Sequence, residues 1–433
     1  MVSIRILEYS KDKEEIEKIK QRAILNQKEI EYSVKKIIEK VRYEGDKAIS
    51  YYTEKFDGVN ISEDEFTVTK KEIAEAYTCI SKTQINAIKK AIENVKKFSL
   101  RQKPAEFFEE IIPGVSCGIL LRPIEKVGCY IPAGRYPLPS TAYMTIIPAK
   151  VAGVKEIIVA TPPKKPGKAD PGVIVASDIA GATRIIKIGG AQAIAALAYG
   201  TKTIPKVNKI VGPGNIYVTT AKKIVFGDVG LDMLAGPSEV VIIASEKADP
   251  NFVAADMLAQ AEHDAFAAAL LITDSKEFAM KVKAELNRQV NLLSTKDIIE
   301  KSFENCSCIV LVDSIEEAIF FANDFAPEHL EIIGYDKSIL NGITNAGSIF
   351  FGEYSPEPAG DYCSGTNHVL PTMQSAKSRG GLSIYDFLKM ITVQELTKEG
   401  LSSLKETISV LADMEGLPAH KNSVLKRFED VEK

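Results

Sequence analysis

Three short runs decide how this chain is built: EIIVATP (residues 156–162), RIIKIGG (184–190) and KIVGPG (209–214). Each is rich in β-branched residues, ends in Gly or Pro, and is separated from the next by a segment of helix length. That is the pattern of parallel strands joined by crossover helices. A second series follows, with EVVIIAS (239–245), ALLITDS (269–275), CIVLVDS (308–314), LEIIG (330–334) and SIFFGE (348–353). Two successive βα series predict two similar α/β lobes with a junction near Leu234 to Ser238. The length agrees, since 433 residues exceed what one hydrophobic core usually serves.

Working outward, residues 10–104 are rich in Lys and Glu. Apolar positions recur there at helical spacing, as in Ile73, Ala76, Tyr77 and Ile80, so this part is predicted to be mostly helical. On the other side, PEPAGDYCSGTNHVLP (356–371) holds too many Pro, Gly, Ser and Asn residues for an element interior and reads as a loop. Beyond it, YDFLKMITVQEL (385–396) and LSSLKETISVLADMEG (401–416) read as two closing helices, the second stopped by Gly416 and Pro418.

Composition excludes several classes of function. The 54 basic and 58 acidic residues leave a formal charge of -4, and no Lys/Arg stripe with interleaved aromatics offers a track for nucleic acid. No apolar run approaches a membrane span, and the first residues turn charged before any signal-peptide core could form, so a soluble cytoplasmic protein is expected. The six cysteines are scattered without a CxxC pair and read as reduced.

The chain has four histidines, and each sits near other polar residues capable of chemistry. Gln260 and His263, in LAQAEHD, are three apart beside an apolar helical stripe, so both can converge on one point, as metal ligands or as a plain solvated face. Glu328 and His329 follow Pro327 where a helix gives way to a strand. A carboxylate beside an imidazole is an acid/base pair or an exposed turn pair, and the local sequence leaves both open. Asp361 and His368 share the 356–371 loop, and unstructured loops of that length are often functional. His420, in LPAHKN near the end of the chain, has no local argument for a role. The glycine turns GGAQ (189–192) and GPGN (212–215) open helices after strands, where backbone N–H groups can meet an anion, although neither matches GxGxxG.

Taken together and in order, GCYIPAG, GGAQAIAALAYGT, VGPGN, AGPSEV, LAQAEHD, FAPEHLEI, AGDYCSGTNHVLPT and AHKN resemble the motifs of the histidinol dehydrogenases. The likeness runs from about residue 25 to residue 425. It implies an enzyme of histidine biosynthesis that oxidises L-histidinol through L-histidinal to L-histidine in two NAD-dependent hydride transfers. The resemblance further implies one Zn2+ per subunit on Gln260, His263, Asp361 and His420, the last from the other subunit of a homodimer, and a catalytic pair in Glu328 and His329. It assigns substrate contacts to Ser238, Gln260, His263, His329, Asp361, His368, Glu415 and His420, and NAD contacts to Tyr130, Gln192 and Asn215. Departures from the family pattern are Arg135 and Tyr136 in the cofactor-side loop PAGRYPLPST, Pro418, and Ser423.

The fold so implied is two incomplete Rossmann-like, aldehyde-dehydrogenase-like lobes with parallel sheets, plus a helical N-terminal segment and a C-terminal tail. Its divisions fall at 1–24 for the N-terminal segment, 25–129 with 238–381 for the lobe carrying catalytic and metal residues, and 130–237 for the NAD lobe. The remaining 382–433 is a helical tail exchanged in the dimer. An amide oxygen, two imidazoles and a carboxylate make a thiolate-free set that can open to substrate, though the same donors suit manganese or cobalt. Three rivals remain at this level: an aldehyde dehydrogenase using Cys117 or Cys129 as nucleophile, a zinc hydrolase with Glu328 activating water, and a non-catalytic binding protein.

Overall fold

The computed structural model describes residues 4–21, 27–134 and 136–429. Its larger compact unit takes in residues up to Gln102 and Ile124–Phe387, and contains two parallel sheets. The first sheet has the strands Lys126–Tyr130, Glu156–Ala160, Arg184–Ile186, Lys209–Val211 and Gly230–Leu231. Numbered by sequence, they lie side by side in the order 3-2-1-4-5, a doubly wound arrangement. The second sheet repeats that order with Glu239–Ala244, Ala268–Thr273, Cys308–Leu311, His329–Ile333 and Ser348–Phe351. Arg5–Glu8, ahead of the N-terminal helices, pairs with Cys308–Leu311 and adds a sixth, edge strand.

Every run read from the sequence as a strand is one, and for the central strands the reason is burial on both faces. All residues of Glu239–Ala244, Ala268–Thr273 and His329–Ile333 are buried, which demands the near-continuous Val, Ile, Leu and Ala composition of a covered parallel sheet. Four apolar clusters fill the space, two against each sheet. The crossover helix Pro139–Ala152 is buried from Ser140 to Ala149 on every side, which explains its lack of a polar face. The 10–104 region is helical as expected, with Lys13–Gln21, Gln27–Glu44, Asp46–Asp57, Lys70–Cys79 and Lys82–Arg101.

Two expectations need correction. YDFLKMITVQEL is not a helix: Ile384–Phe387 makes one 3-10 turn, and Leu388–Leu396 is a strand pairing antiparallel with Val115–Pro123 from Leu388↔Pro123 to Leu396↔Val115. Apolar residues at 387, 388 and 391 fit helical spacing, but the β-branched pair Ile391–Thr392 with Val393 favours the extended chain once a neighbouring strand supplies the ladder. The 356–371 loop opens with a short helix, Glu357–Tyr362, capped by Pro356 with Pro358 in its first turn.

Lys103–Pro123 and the chain from Leu388 onward form a second compact unit. It contains a three-stranded antiparallel sheet, Phe107–Ile112, Val115–Pro123 and Leu388–Leu396, and the helices Lys398–Met414 and Pro418–Leu425. Gly416, at φ 69°, follows the end of the first helix as the sequence reads, whereas Pro418, read there only as part of the stop, begins a further helix. Among the described residues no helix is long and apolar enough to cross a membrane.

Candidate active site

The site is built at the amino ends of two neighbouring strands of the second sheet. The helix Ile315–Phe325 stops at Ala326, held left-handed at φ 48°, and Pro327 forbids its continuation. The chain then enters the strand at His329, which lies opposite Val240. Glu328 and His329 are therefore fixed against Glu239, the first residue of the adjoining strand. A Glu328 carboxylate oxygen, Oε2, accepts from the Glu239 N–H (3.0 Å), and His329 Nδ1 lies 3.0 Å from the Glu239 carbonyl. A carbonyl can only accept, so Nδ1 carries the hydrogen and Nε2 of the neutral ring keeps its lone pair. Among the described residues no hydrogen-bond partner occupies Nε2.

Three carboxylates surround this imidazole. Nδ1 is 3.8 Å from Glu328 and 3.9 Å from Glu357, and Nε2 is 3.5 Å from Asp361. Burial alone pulls the ring's pKa down, but Glu357, Glu328 and Asp361 outweigh it and hold His329 well above the ordinary histidine range. Burial lifts Glu328 to about 8, against the pull of His329, and lifts Glu357 to about 7. Burial also works against the Asp361 charge, yet the nearby His329 ring, with His368 and His263, keeps its carboxyl below the usual range.

Glu357 and Asp361 are one turn apart on their short helix, so both carboxylates face the same way. With His263 they offer three ligand atoms all within 4.8 Å of one another. His263 follows the cap of helix Pro250–Ala261 and remains tied to it by its N–H to the Gln260 carbonyl (3.3 Å). The Gln260 amide is fully buried, and neither its oxygen nor its nitrogen has a hydrogen-bond partner. An amide so placed costs free energy unless something binds it. Of the residues expected as zinc ligands, His263 and Asp361 are brought to one cluster, which Glu357 joins, and their donors suit the ion.

His368 is oriented from both ring nitrogens. Nδ1 donates to the Asp361 carbonyl (2.8 Å), and Nε2 accepts from the Thr141 hydroxyl (3.2 Å). Burial lowers its pKa, which favours the neutral ring. Ser238 lies immediately before Glu239, half-buried. Glu415 and His420 belong to the second compact unit, as the cap of helix Lys398–Met414 and within helix Pro418–Leu425, and both are exposed.

Tyr130, Gln192 and Asn215 line a cleft of about 1080 Å³ that also reaches His263. Tyr130 ends the first strand of the first sheet, and its hydroxyl accepts from the Gly190 N–H (3.1 Å) at the start of helix Gly190–Tyr199. Asn215 caps helix Ile216–Val225 by accepting from the Tyr217 and Val218 N–H groups. Gln192 is buried with its amide oxygen unpartnered. Two helix starts and the side chains of Lys36, Lys55, Lys164 and Lys165 make the cleft hospitable to a pyrophosphate. Tyr136 lines it too, while Arg135 lies outside the described residues.

The sequence reading missed Glu357, Glu239 and Thr141. Glu357 could have been found from its four-residue spacing to Asp361, had a helix been read there. A cysteine nucleophile finds no support at Cys129, which is fully buried with its thiol pushed up to about 12 by that burial. All six cysteines are free.

A family model described as histidinol dehydrogenase matches residues 20–428. The chain belongs to the histidinol dehydrogenase family. Its sequence is 49% identical over 420 residues to the histidinol dehydrogenase of Methanocaldococcus jannaschii, covering 96% of each chain. It is 48% identical to that of Methanothermobacter thermautotrophicus, covering 97% of this chain and 98% of the relative. Its fold superposes on the crystal structure of histidinol dehydrogenase from Elizabethkingia anophelis with a TM-score of 0.94, at 39% identity and 99% coverage of both chains. The activity is therefore that of an NAD-dependent dehydrogenase acting on histidinol, in histidine biosynthesis. Neither the hydrolase nor the binding-protein alternative survives this.

Proposed function

We propose that this histidinol dehydrogenase works with His329 as the base for the alcohol and Glu328 as the base for water, on a substrate held by zinc. The observation that carries this reading is Nε2 of His329, unpartnered among the described residues and set 3.5 Å from Asp361. Gln260, His263 and Asp361 would hold the ion, with His420 of the partner subunit as fourth ligand. Bound zinc would supply a Lewis-acid anchor for the imidazole and amine of histidinol, with no redox change of its own. NAD, in the cleft with Tyr130, Gln192 and Asn215 and within the proposed 130–237 lobe, supplies the hydride acceptor for each of two oxidations.

The chain's own groups then have defined tasks. His329 Nε2, when the ring is neutral, takes the hydroxyl proton of histidinol as the carbon loses hydride. Its Nδ1–H, held by the Glu239 carbonyl, fixes the ring so that only Nε2 faces the reacting oxygen. Glu328, when ionised, deprotonates a water that adds to the aldehyde, and loss of a second hydride yields L-histidine. His368, held neutral between Asp361 and Thr141, and Ser238 contact the substrate, as do Glu415 and His420 of a second copy. The decisive assay counts NADH per histidine formed from histidinol, with and without a chelator. Two NADH per histidine, lost on chelation and restored by zinc, are expected. His329→Ala should abolish oxidation of the alcohol, and full retention of both half-reactions would overturn its role.

The exchange of the tail between copies has a physical motive. In the second compact unit Phe107, Phe108, Ile111, Ile112, Met390, Ile391, Val410, Leu411, Met414 and Leu417 are all exposed. That much apolar side chain on a small unit favours a covering partner.

A further inference from the structure

Behind the cofactor-side cleft, two charged side chains grip both polar groups of one glycine. Lys222, on helix Ile216–Val225, extends its Nζ to the Gly212 carbonyl (3.0 Å) and to Asp232 Oδ1. The other Asp232 oxygen accepts from the Gly212 N–H (2.7 Å). Both side chains are almost wholly buried, and neither lines the cleft. Gly212 itself adopts φ 110°, and a Cβ there would stand 2.2 Å from the Tyr130 carbonyl oxygen, so the turn lies flat against the backbone of a cofactor residue. Three residues on, Asn215 starts the helix that carries Lys222.

A buried ion pair is weak evidence for stability, because desolvation offsets most of its attraction and an apolar pair of similar size often does as well. What the pair supplies here is geometry. The turn Gly212–Asn215 has glycines at 212 and 214 and little side chain of its own to pack, and glycine backbones are free to wander. Clamping both the N–H and the carbonyl of Gly212 removes that freedom at the point where the turn meets Tyr130. We infer that Lys222 and Asp232 are positioning residues for the cofactor, fixing the Gly212–Asn215 turn against Tyr130 and so setting the cleft-facing groups of Tyr130 and Asn215. This rests on the reading that the cleft takes NAD.

The test is calorimetric titration of full-length, zinc-loaded enzyme with NAD, together with the KM for each substrate. In Lys222→Met/Asp232→Leu the charges leave together, so neither is stranded. NAD affinity should fall at least about tenfold, in line with the loss expected from a misplaced binding group. Zinc content and the KM for histidinol should stay unchanged, an asymmetry that a general loss of structure would not produce. In an Asn215→Ala background the same pair change should cost less than it does in wild type, because part of its effect passes through Asn215. A folded variant that binds NAD within about twofold of wild type would overturn the inference. Should that variant fail to fold, Asp232→Asn keeps an acceptor for Gly212 while loosening Lys222. A severalfold loss of NAD affinity then supports the inference and an unchanged one overturns it. If Asn215→Ala alone leaves NAD affinity intact, the cofactor reading fails and the inference with it.

Discussion

Gln260 works against folding and for binding. Its buried amide has no hydrogen-bond partner at either atom, and each such group costs about 1–3 kcal/mol while it stays unsatisfied. Gln260→Met keeps the length and removes both polar atoms, so the metal-free variant should be more stable than metal-free wild type by about 1–3 kcal/mol. It should also retain less zinc after dialysis against a chelator; denaturant melts and metal analysis read the two effects separately. Glu328 carries a different conflict. Burial raises it to about 8, so at neutral pH the proposed base is mostly protonated. Oxidation of histidinal should therefore climb with pH and level off above about pH 8, while Glu328→Gln should be slow and flat. A flat wild-type profile from pH 6 to 9 would remove Glu328 from the water-activating step. The linkage sign follows from the same shift. A carboxyl whose folded pKa lies above its unfolded value stabilises the fold below the unfolded pKa, and that contribution is lost as pH rises through about 8. The metal-free Glu328→Gln protein, which has no such titration, should gain stability relative to wild type between pH 5 and pH 9 in chemical denaturation.

At the scale of elements, helix Pro139–Ala152 ties the cofactor side to the substrate side. It begins just after the PAGRYPL loop and holds the following stretch at three points: Thr141 to His368, the Tyr143 hydroxyl to the Tyr362 carbonyl (2.7 Å), and the Met144 carbonyl to Asn367 (2.7 Å). Thr141→Val is nearly isosteric and removes the donor that keeps His368 Nε2 in place. The KM for histidinol should rise by about fivefold, as one neutral hydrogen bond is worth roughly 1 kcal/mol. The KM for NAD should change little, and steady-state kinetics with each substrate varied in turn separates the two. This coupling was invisible in the sequence, because Thr141 and His368 are 227 residues apart and the helix has no polar face to draw attention to it. The central strands were legible for the opposite reason: burial on both faces favours apolar, β-branched runs, and tertiary context had nothing to override. Where the chain faces a neighbour on one side only, as in Leu388–Leu396, the spacing was ambiguous and the helical reading failed. Gln260 and His263 were singled out by a three-residue spacing read as one helix face, but the helix ends at Ala261 and His263 lies beyond its cap. Glu357 was hidden because Pro, Gly and Ser around it pointed to a loop.

The molecule as a whole raises the question of where a fourth ligand for the proposed zinc would come from. His263, Glu357 and Asp361 cluster within the larger compact unit, whereas His420 belongs to the second, whose exposed apolar residues call for a partner. If two copies exchange their tails, each site is assembled from the larger unit of one copy and the tail of the other. His329→Ala and His420→Ala then damage opposite contributions to a site. Homodimers of either variant have no intact site, but a heterodimer has one site with both defects and one with neither. Random mixing makes half the dimers hybrid with one good site of two, so the mixture should recover about a quarter of wild-type activity. Subunits must be exchanged through mild denaturant or co-expression, and the hybrid isolated by two affinity tags to show that it formed. The isolated hybrid should then have about half the wild-type activity and retain about half its zinc, since His420→Ala weakens metal binding only in the site it serves. Absence of recovery in a verified hybrid would put His420 in its own subunit's site, or in none, and would leave Glu357 as the carboxylate placed to complete the ligand set from within one chain.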